Sequence, residues 1–301
     1  MGTLETLIGI DTQVPIIACG WQVFKTAKSL FGCIGPAAVI MINHQLCHTT
    51  VNTDIFTGDK SCLVRTQEHN HTGDIHRGSD AANRLLQRIP DFRSKNGLYR
   101  KREKSFAKYK PEYLLSYDCL HKKPEVFFSY YRKNLDARRA QPNAAHYKLA
   151  ELERAGKLEG VITQNIDGLH QKAGSRKVYE IHGTIRSNHC VSCGQQYGED
   201  FIFDSPEKIP TCPACGKLVR PDVTLYGEFL PEEAYRGAID LIGRADCLII
   251  GGTSLEVGSA AQLAHMYHGQ YLIIINKGKT RMEGKADLVF HDRISEILSC
   301  L

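Results

Sequence analysis

Two cysteine pairs carry the sharpest chemical signal in this chain. Cys190-Val191-Ser192-Cys193 and Cys212-Pro213-Ala214-Cys215 stand 18 residues apart, a spacing typical of a four-cysteine metal site. A glycine follows each pair (Gly194 and Gly216), so a tight turn can aim both sulfurs at one ion. Four thiolates fill a tetrahedral zinc shell and leave no position for water, so the predicted ion is structural, not catalytic. It would supply folding free energy to a segment too small for a core of its own. Two reactive dithiols are the alternative, and the paired spacing argues against them. A zinc ribbon also suits a nucleic-acid- or protein-binding module, so the metal alone does not specify an enzyme. The other seven cysteines (Cys19, Cys33, Cys47, Cys62, Cys119, Cys247 and Cys300) are scattered and read as ordinary small thiols.

A second group of residues is polar where the sequence around it is apolar. Thr163-Gln164-Asn165-Ile166-Asp167-Gly168 directly follows a short apolar run. Amides and a carboxylate at the end of a buried strand are costly unless they find partners. A ligand offering ribose hydroxyls and a carboxamide would provide them. Further on, Glu180-Ile181-His182-Gly183 places a histidine beside a small residue that permits close approach. A lone histidine is more often a satisfied core or surface group than a catalyst. Gly251-Gly252-Thr253-Ser254 joins a predicted strand to a helix, where backbone N–H groups could meet a phosphate or ribose. A plain tight turn explains the same residues. Asn276, after the next strand, could bond a ribose or simply cap its turn.

The elements that must position these groups are legible from about Ile89 onward. Helix spacing runs over Asn143 to Ala155 and is ended by Gly156; Glu232 to Ile242 and Val257 to Tyr267 are two further helices. Buried strands are predicted at Gly160–Gln164, Cys247–Ile250, Tyr271–Ile275 and Asp287–Phe290. Continuous apolar strands alternating with helices imply a doubly wound parallel α/β sheet, Rossmann-like, with ligands at the carboxyl ends of its strands. Two stretches interrupt the alternation. Lys95 to Arg139 is basic and aromatic, and Ser187 to Arg220 holds the cysteine pairs; together they are expected to form a smaller zinc-ribbon and helical domain. The expected boundaries are about 141–186 and 221–301 for the Rossmann-like part, and about 95–140 and 187–220 for the small one. Residues 1–88 have short, irregular apolar runs, such as Ala37 to Ile42, and no predicted order of elements.

Composition narrows the class without deciding it. The chain has 301 residues, 42% of them hydrophobic, enough for one large core or a large and a small domain. No stretch approaches the roughly 20 apolar residues of a membrane span. The first 30 residues show no basic segment leading into an apolar one, so no secretory signal is expected. These points lead to the expectation of a soluble, cytoplasmic protein. The net charge of +5 suits a basic protein tail or an anionic cofactor as ligand, and is diagnostic of neither.

Taken in order, the motifs resemble those of the sirtuin family of zinc-containing, NAD-dependent protein deacylases. The resemblance rests on Ile89-Pro90-Asp91-Phe92-Arg93-Ser94, Gln164-Asn165-Ile166-Asp167, His182-Gly183 and the two cysteine pairs, followed by Arg220-Pro221-Asp222-Val223, Tyr226-Gly227-Glu228 and Gly252-Thr253-Ser254-Leu255. Each is weak alone, but the ordered set is specific. It implies that Asn165 and Asp167 hold the nicotinamide riboside portion of NAD, with Gln164 on the ribose side. Asp91, Phe92 and Arg93 would belong to a mobile cofactor loop in which Phe92 shields the reacting sugar carbon from water. His182 would be the general base on ribose hydroxyls, a task suited to a group that titrates near neutral pH. Gly252, Thr253, Ser254 and Asn276 would contact the adenosine half. Val223 and the loop of Tyr226, Gly227, Glu228 and Phe229 would line the acyl-lysine tunnel and pair with the substrate backbone as an added strand. The implied reaction transfers an acyl group from a protein lysine to ADP-ribose with release of nicotinamide, so NAD is consumed as a co-substrate. Acylated-lysine proteins are the implied partners, with no membrane and no direct nucleic-acid ligand.

The chain departs from the family pattern just before Ile89. Where sirtuins carry Gly-Ala-Gly-x-Ser after a first buried strand, this sequence has Asp80-Ala81-Ala82-Asn83-Arg84 and then Leu85-Leu86-Gln87-Arg88. Asp80 would place a negative charge beside a pyrophosphate, a repulsion of roughly 4 kcal/mol at about 4 Å and an effective dielectric near 20. Side chains here also block the close backbone approach that glycine allows. No apolar strand is expected ahead of this stretch, which leaves the sheet with exposed edges. Residues 1–88 are accordingly read as the product of a disrupted reading frame. An inactive binding module that keeps the zinc lobe and the acyl-lysine groove is the alternative from a different class; protein ADP-ribosyl transfer is the alternative within enzymes.

Overall fold

Apolar runs too short for a helix become strands when both of their faces can be covered. The computed structural model describes residues 38–42, 104–253, 255 and 258–299, and nine strands form among them. They are β1 (Ala38–Ile42), β2 (Leu158–Thr163), β3 (Val178–Glu180), β4 (Gly183–Cys190), β5 (Gln196–Gly198), β6 (Val219–Val223), β7 (Cys247–Gly251), β8 (Tyr271–Ile275) and β9 (Leu288–Phe290). Six of them make one sheet in the order β3-β2-β1-β7-β8-β9, and every neighbouring pair is parallel. Counted within that sheet, this is the doubly wound order 3-2-1-4-5-6, whose direction of winding reverses between β1 and β7.

The sequence-based expectation that no apolar strand precedes Asp80 is corrected by β1. All five of its residues are buried, and it occupies the centre of the sheet between β2 and β7. Val39 and Met41 enter one core with Ala238, Leu241 and Leu263, while Ala38, Ile40 and Ile42 enter the other with Ala145, Leu149 and Leu298. Such a strand contributes on the order of 2 kcal/mol for each large side chain buried. The edges predicted to be exposed at this place are therefore paired on both sides. Ile42 pairs with Thr163 on one side and Gly251 on the other, which aligns the carboxyl ends of three strands in one row.

Helices close both faces. Helix Ala144–Arg154 starts at Asn143, whose side chain accepts from the backbone N–H of Ala145 and His146 while His146 Nδ1 accepts from the Asn143 N–H. This reciprocal cap satisfies donors that a helix start leaves unpaired. Helices Glu232–Arg244 and Gly258–His265 pack on the opposite face from Ala144–Arg154. The basic, aromatic stretch becomes three short helices, Pro111–Leu114, Tyr117–Lys122 and Pro124–Leu135. They share a core with the antiparallel sheet β5-β4-β6: Phe127, Phe128 and Tyr131 pack in one cluster with Cys190, Ile202, Cys212 and Val219. Arg132 fastens this packing by donating to the carbonyls of Ile202 and Glu207 at 2.7 and 2.8 Å.

Candidate functional site

The turn after β2 is organised by its own backbone. Thr163 Oγ1 accepts from the Asn165 N–H, Asp167 Oδ1 accepts from the Leu169 N–H, and Gly168 takes a left-handed φ of 70°. These bonds fix the chain and leave side-chain atoms unspent. Gln164, Asn165 and Asp167 are buried, yet both amide atoms of Gln164 and of Asn165, and Oδ2 of Asp167, have no partner among the described residues. A buried donor or acceptor left this way costs about 1–3 kcal/mol each. Five such atoms in one turn mark a place built for a polar ligand. Burial also pushes the Asp167 carboxyl up to about 6, reinforced by the nearby Glu180 charge and opposed by Arg186. Glu180 is itself raised by burial, although Arg186 pairs with it at 2.9 Å.

His182 lies in the turn from β3 to β4, half-buried, with Nε2 3.5 Å from Ser259 Oγ at the start of helix Gly258–His265. Its carbonyl accepts from the Thr224 N–H at 2.9 Å, which ties the turn to the end of β6. Gly183 is required beside it. Its φ is 74°, and a Cβ there would fall 2.0 Å from the Asp222 carbonyl oxygen. Asp222 in turn accepts from Ser187 Oγ and binds His189 Nδ1, both on β4, so β4 and β6 are clamped together.

At the neighbouring strand ends, Gly252 has φ 62° and donates its N–H to the Ile275 carbonyl at 2.9 Å. Thr253 is buried and Oγ1 accepts from the Leu255 N–H. Asn276 is buried after β8; Nδ2 donates to the Gly278 carbonyl at 2.7 Å, while Oδ1 has no partner among the described residues. Asn276 thus caps its turn through Nδ2 and keeps Oδ1 unspent.

Val223 closes β6 and is 7% exposed. Beyond it, Arg220 pairs with both carboxylate oxygens of Glu228, and Glu228 also accepts from the Leu225 N–H at 2.8 Å. This ion pair shapes the loop. Tyr226 donates its N–H to the Leu115 carbonyl and accepts from the Tyr117 N–H, both at 3.0 Å. Gly227 has φ 93°, and Phe229 stands 99% exposed.

The four cysteines come together as the spacing predicts. Their sulfurs lie within 4.8 Å of one another, with Cys190 to Cys215 at 3.4 Å and Cys193 to Cys212 at 3.6 Å. Four thiolates at about 2.3 Å from one tetrahedral zinc ion would stand about 3.8 Å apart. The set fits zinc. Asp91, Phe92, Arg93 and Ser254, together with the departure at residues 80–84, lie outside the described residues.

Sequence reading missed Ser259 beside His182 and the Asp222 clamp. Both depend on contacts between distant elements, and no local pattern of residues announces them.

The sheet order, the polar turn beside its switch point and the inserted four-sulfur ribbon define a dinucleotide-type α/β protein with a structural metal module. Residues 87–259 match the model of the Sir2 family. The chain is 47% identical over 210 residues to an NAD-dependent protein deacetylase of Clostridium acetobutylicum, spanning 70% of this chain and 85% of that protein. To the NAD-dependent protein deacetylase of Clostridium perfringens it is 49% identical over 211 residues, at 70% and 85% coverage. Among solved structures, Sir2 with a p53 peptide and NAD+ aligns at a TM-score of 0.66 and 30% identity, covering 90% of this chain and 93% of that one. A Sir2 variant with a deacetylated p53 peptide and 3′-O-acetyl ADP-ribose aligns at 0.69 and 30%, covering 90% and 94%. The chain belongs to the Sir2 family.

Proposed function

We propose that this protein is an NAD-dependent protein lysine deacetylase acting on acylated-lysine proteins in the cytoplasm. The single observation that carries the reading is the buried, unpartnered set of Gln164, Asn165 and Asp167 at the carboxyl end of β2. Nicotinamide riboside offers a carboxamide and two hydroxyls, the complement of two amides and a carboxylate. Asn165 and Asp167 hold the nicotinamide riboside portion, Asp167 by the carboxamide, and Gln164 faces the ribose. Gly252, Thr253, Ser254 and Asn276 receive the adenosine half, and Asp91, Phe92 and Arg93 cover the reacting end. When bound, NAD supplies the sugar carbon that accepts the acyl group as nicotinamide leaves.

His182 takes a ribose hydroxyl proton at its imidazole, held by the β3–β4 turn that the Thr224 N–H ties to the end of β6. Val223, Tyr226, Gly227, Glu228 and Phe229 receive the acyl-lysine and its flanking backbone. Cys190, Cys193, Cys212 and Cys215 hold zinc and stay out of the reaction. No helix among the described residues is long and apolar enough to cross a membrane.

The test is product analysis with NAD and an acetyl-lysine peptide. Free lysine peptide and acetyl-ADP-ribose should form in equal amounts, and His182→Ala should lower the rate by about 10²–10⁴-fold with the melting temperature unchanged. Label transferred from NAD to protein would instead mean ADP-ribosyl transfer. Calorimetry showing no NAD binding would leave a binding module and overturn the enzyme reading.

A further inference from the structure

The four sulfurs of the ribbon are not equivalent. Cys190 and Cys212 are 1% and 2% exposed, whereas Cys193 and Cys215 face solvent. Four thiolates around one divalent ion leave a net charge of about −2, and each sulfur is stabilised by hydrogen-bond donors. Water can serve the exposed pair. The buried pair depends on protein donors: Cys190 Sγ meets the backbone N–H groups of Ser192, at 3.5 Å, and Cys193, and Cys212 Sγ meets those of Ala214 and Cys215 together with one side-chain donor, the Tyr197 hydroxyl at 3.0 Å.

Tyr197 is well placed to hold that position. Its backbone pairs with Asn188 across β4 and β5, and its ring stacks on Phe201 at 4.1 Å between centroids. A zinc-bound thiolate carries lone pairs and no proton, so the phenol must be the donor. We propose that Tyr197 is a positioning residue of the metal centre: its O–H donates to the Cys212 thiolate, neutralises part of the buried charge and slows release of zinc. The chemistry concerns only this chain's own side chain and its four-sulfur site. It stands apart from the deacetylase reading, because the test uses neither NAD nor peptide.

Tyr197→Phe keeps the ring and the stacking and removes only the donor. Zinc-loaded protein is mixed with a chromogenic chelator, and the variant should surrender its metal about tenfold faster than the parent chain. In cobalt-substituted protein, the thiolate-to-metal charge-transfer band should move to lower energy, since an unbonded thiolate holds its electrons less tightly. Phe201→Leu loosens the stacking and leaves the hydroxyl in place; it should change neither quantity to that extent. Should Tyr197→Phe purify without metal, cobalt titration of both apo chains still compares their affinities, with the variant expected to be the weaker. Equal release rates with an unmoved band would overturn the proposal. So would a Phe201→Leu variant that reproduces both changes, because packing would then explain them.

Discussion

Between Gln164 and Cys215, this chain gathers polar side chains in two places with opposite energetics. At Gln164–Asp167, buried amide and carboxylate atoms stand without partners among the described residues, and burial raises the Asp167 carboxyl to about 6. At Cys190–Cys215, four sulfurs converge at the separations a tetrahedral ion demands, and the two least exposed ones have donors beside them. The first place lowers stability, because its polar atoms are buried without partners. The second raises stability by holding something that stays. The difference teaches where to look for chemistry: the unsatisfied corner, not the metal.

Breaking the metal side should give the largest effect. Cys212→Ser is expected to reduce zinc from about one ion per chain to near none, and to remove coupled folding free energy on the order of 10 kcal/mol from the ribbon. Metal analysis and hydrogen exchange check this. Protection should vanish from β4, β5 and β6 and persist in β1, β2 and β7; simultaneous loss from both sheets would show that the two regions fold as one.

A smaller effect is expected where the two regions touch. Gly183→Ala forces a Cβ against the Asp222 carbonyl at a left-handed φ, which should cost at least about 2 kcal/mol. Denaturant unfolding reads the loss. An unchanged midpoint would mean that the β4–β6 clamp is looser than the close approach implies.

The smallest effect sharpens the comparison from the corner's side. The Asp167 carboxyl binds its proton more tightly when folded, at about 6 against an ordinary value of 3.8. Its contribution to stability is therefore fullest below about pH 4 and is lost as the pH rises through about 6. Asp167→Asn never ionises, so it should melt a few degrees higher than the parent chain at pH 7, with the gap closing towards pH 4. Calorimetry that shows no gap at pH 7 would place Asp167 among satisfied residues, and the contrast between the two regions would fail there.

What could be read from the residues alone was whatever local spacing encodes. Two Cys-x-x-Cys turns, apolar runs of strand length and helix periodicity over Asn143 to Ala155 depend only on neighbours in the chain, so the ribbon and most of the parallel sheet were legible. The polar cost of Gln164–Asp167 was legible too, since those residues directly follow an apolar strand. Tertiary structure alone decided that Ala38–Ile42 fills the middle of the sheet, because any five apolar residues can form a strand and its partners lie more than 100 residues away. It also decided that Gly183 must be glycine against Asp222, and that Tyr197 reaches Cys212. Those facts arise from side chains brought together by pairing between strands, and no period along the chain carries information about a contact made across it.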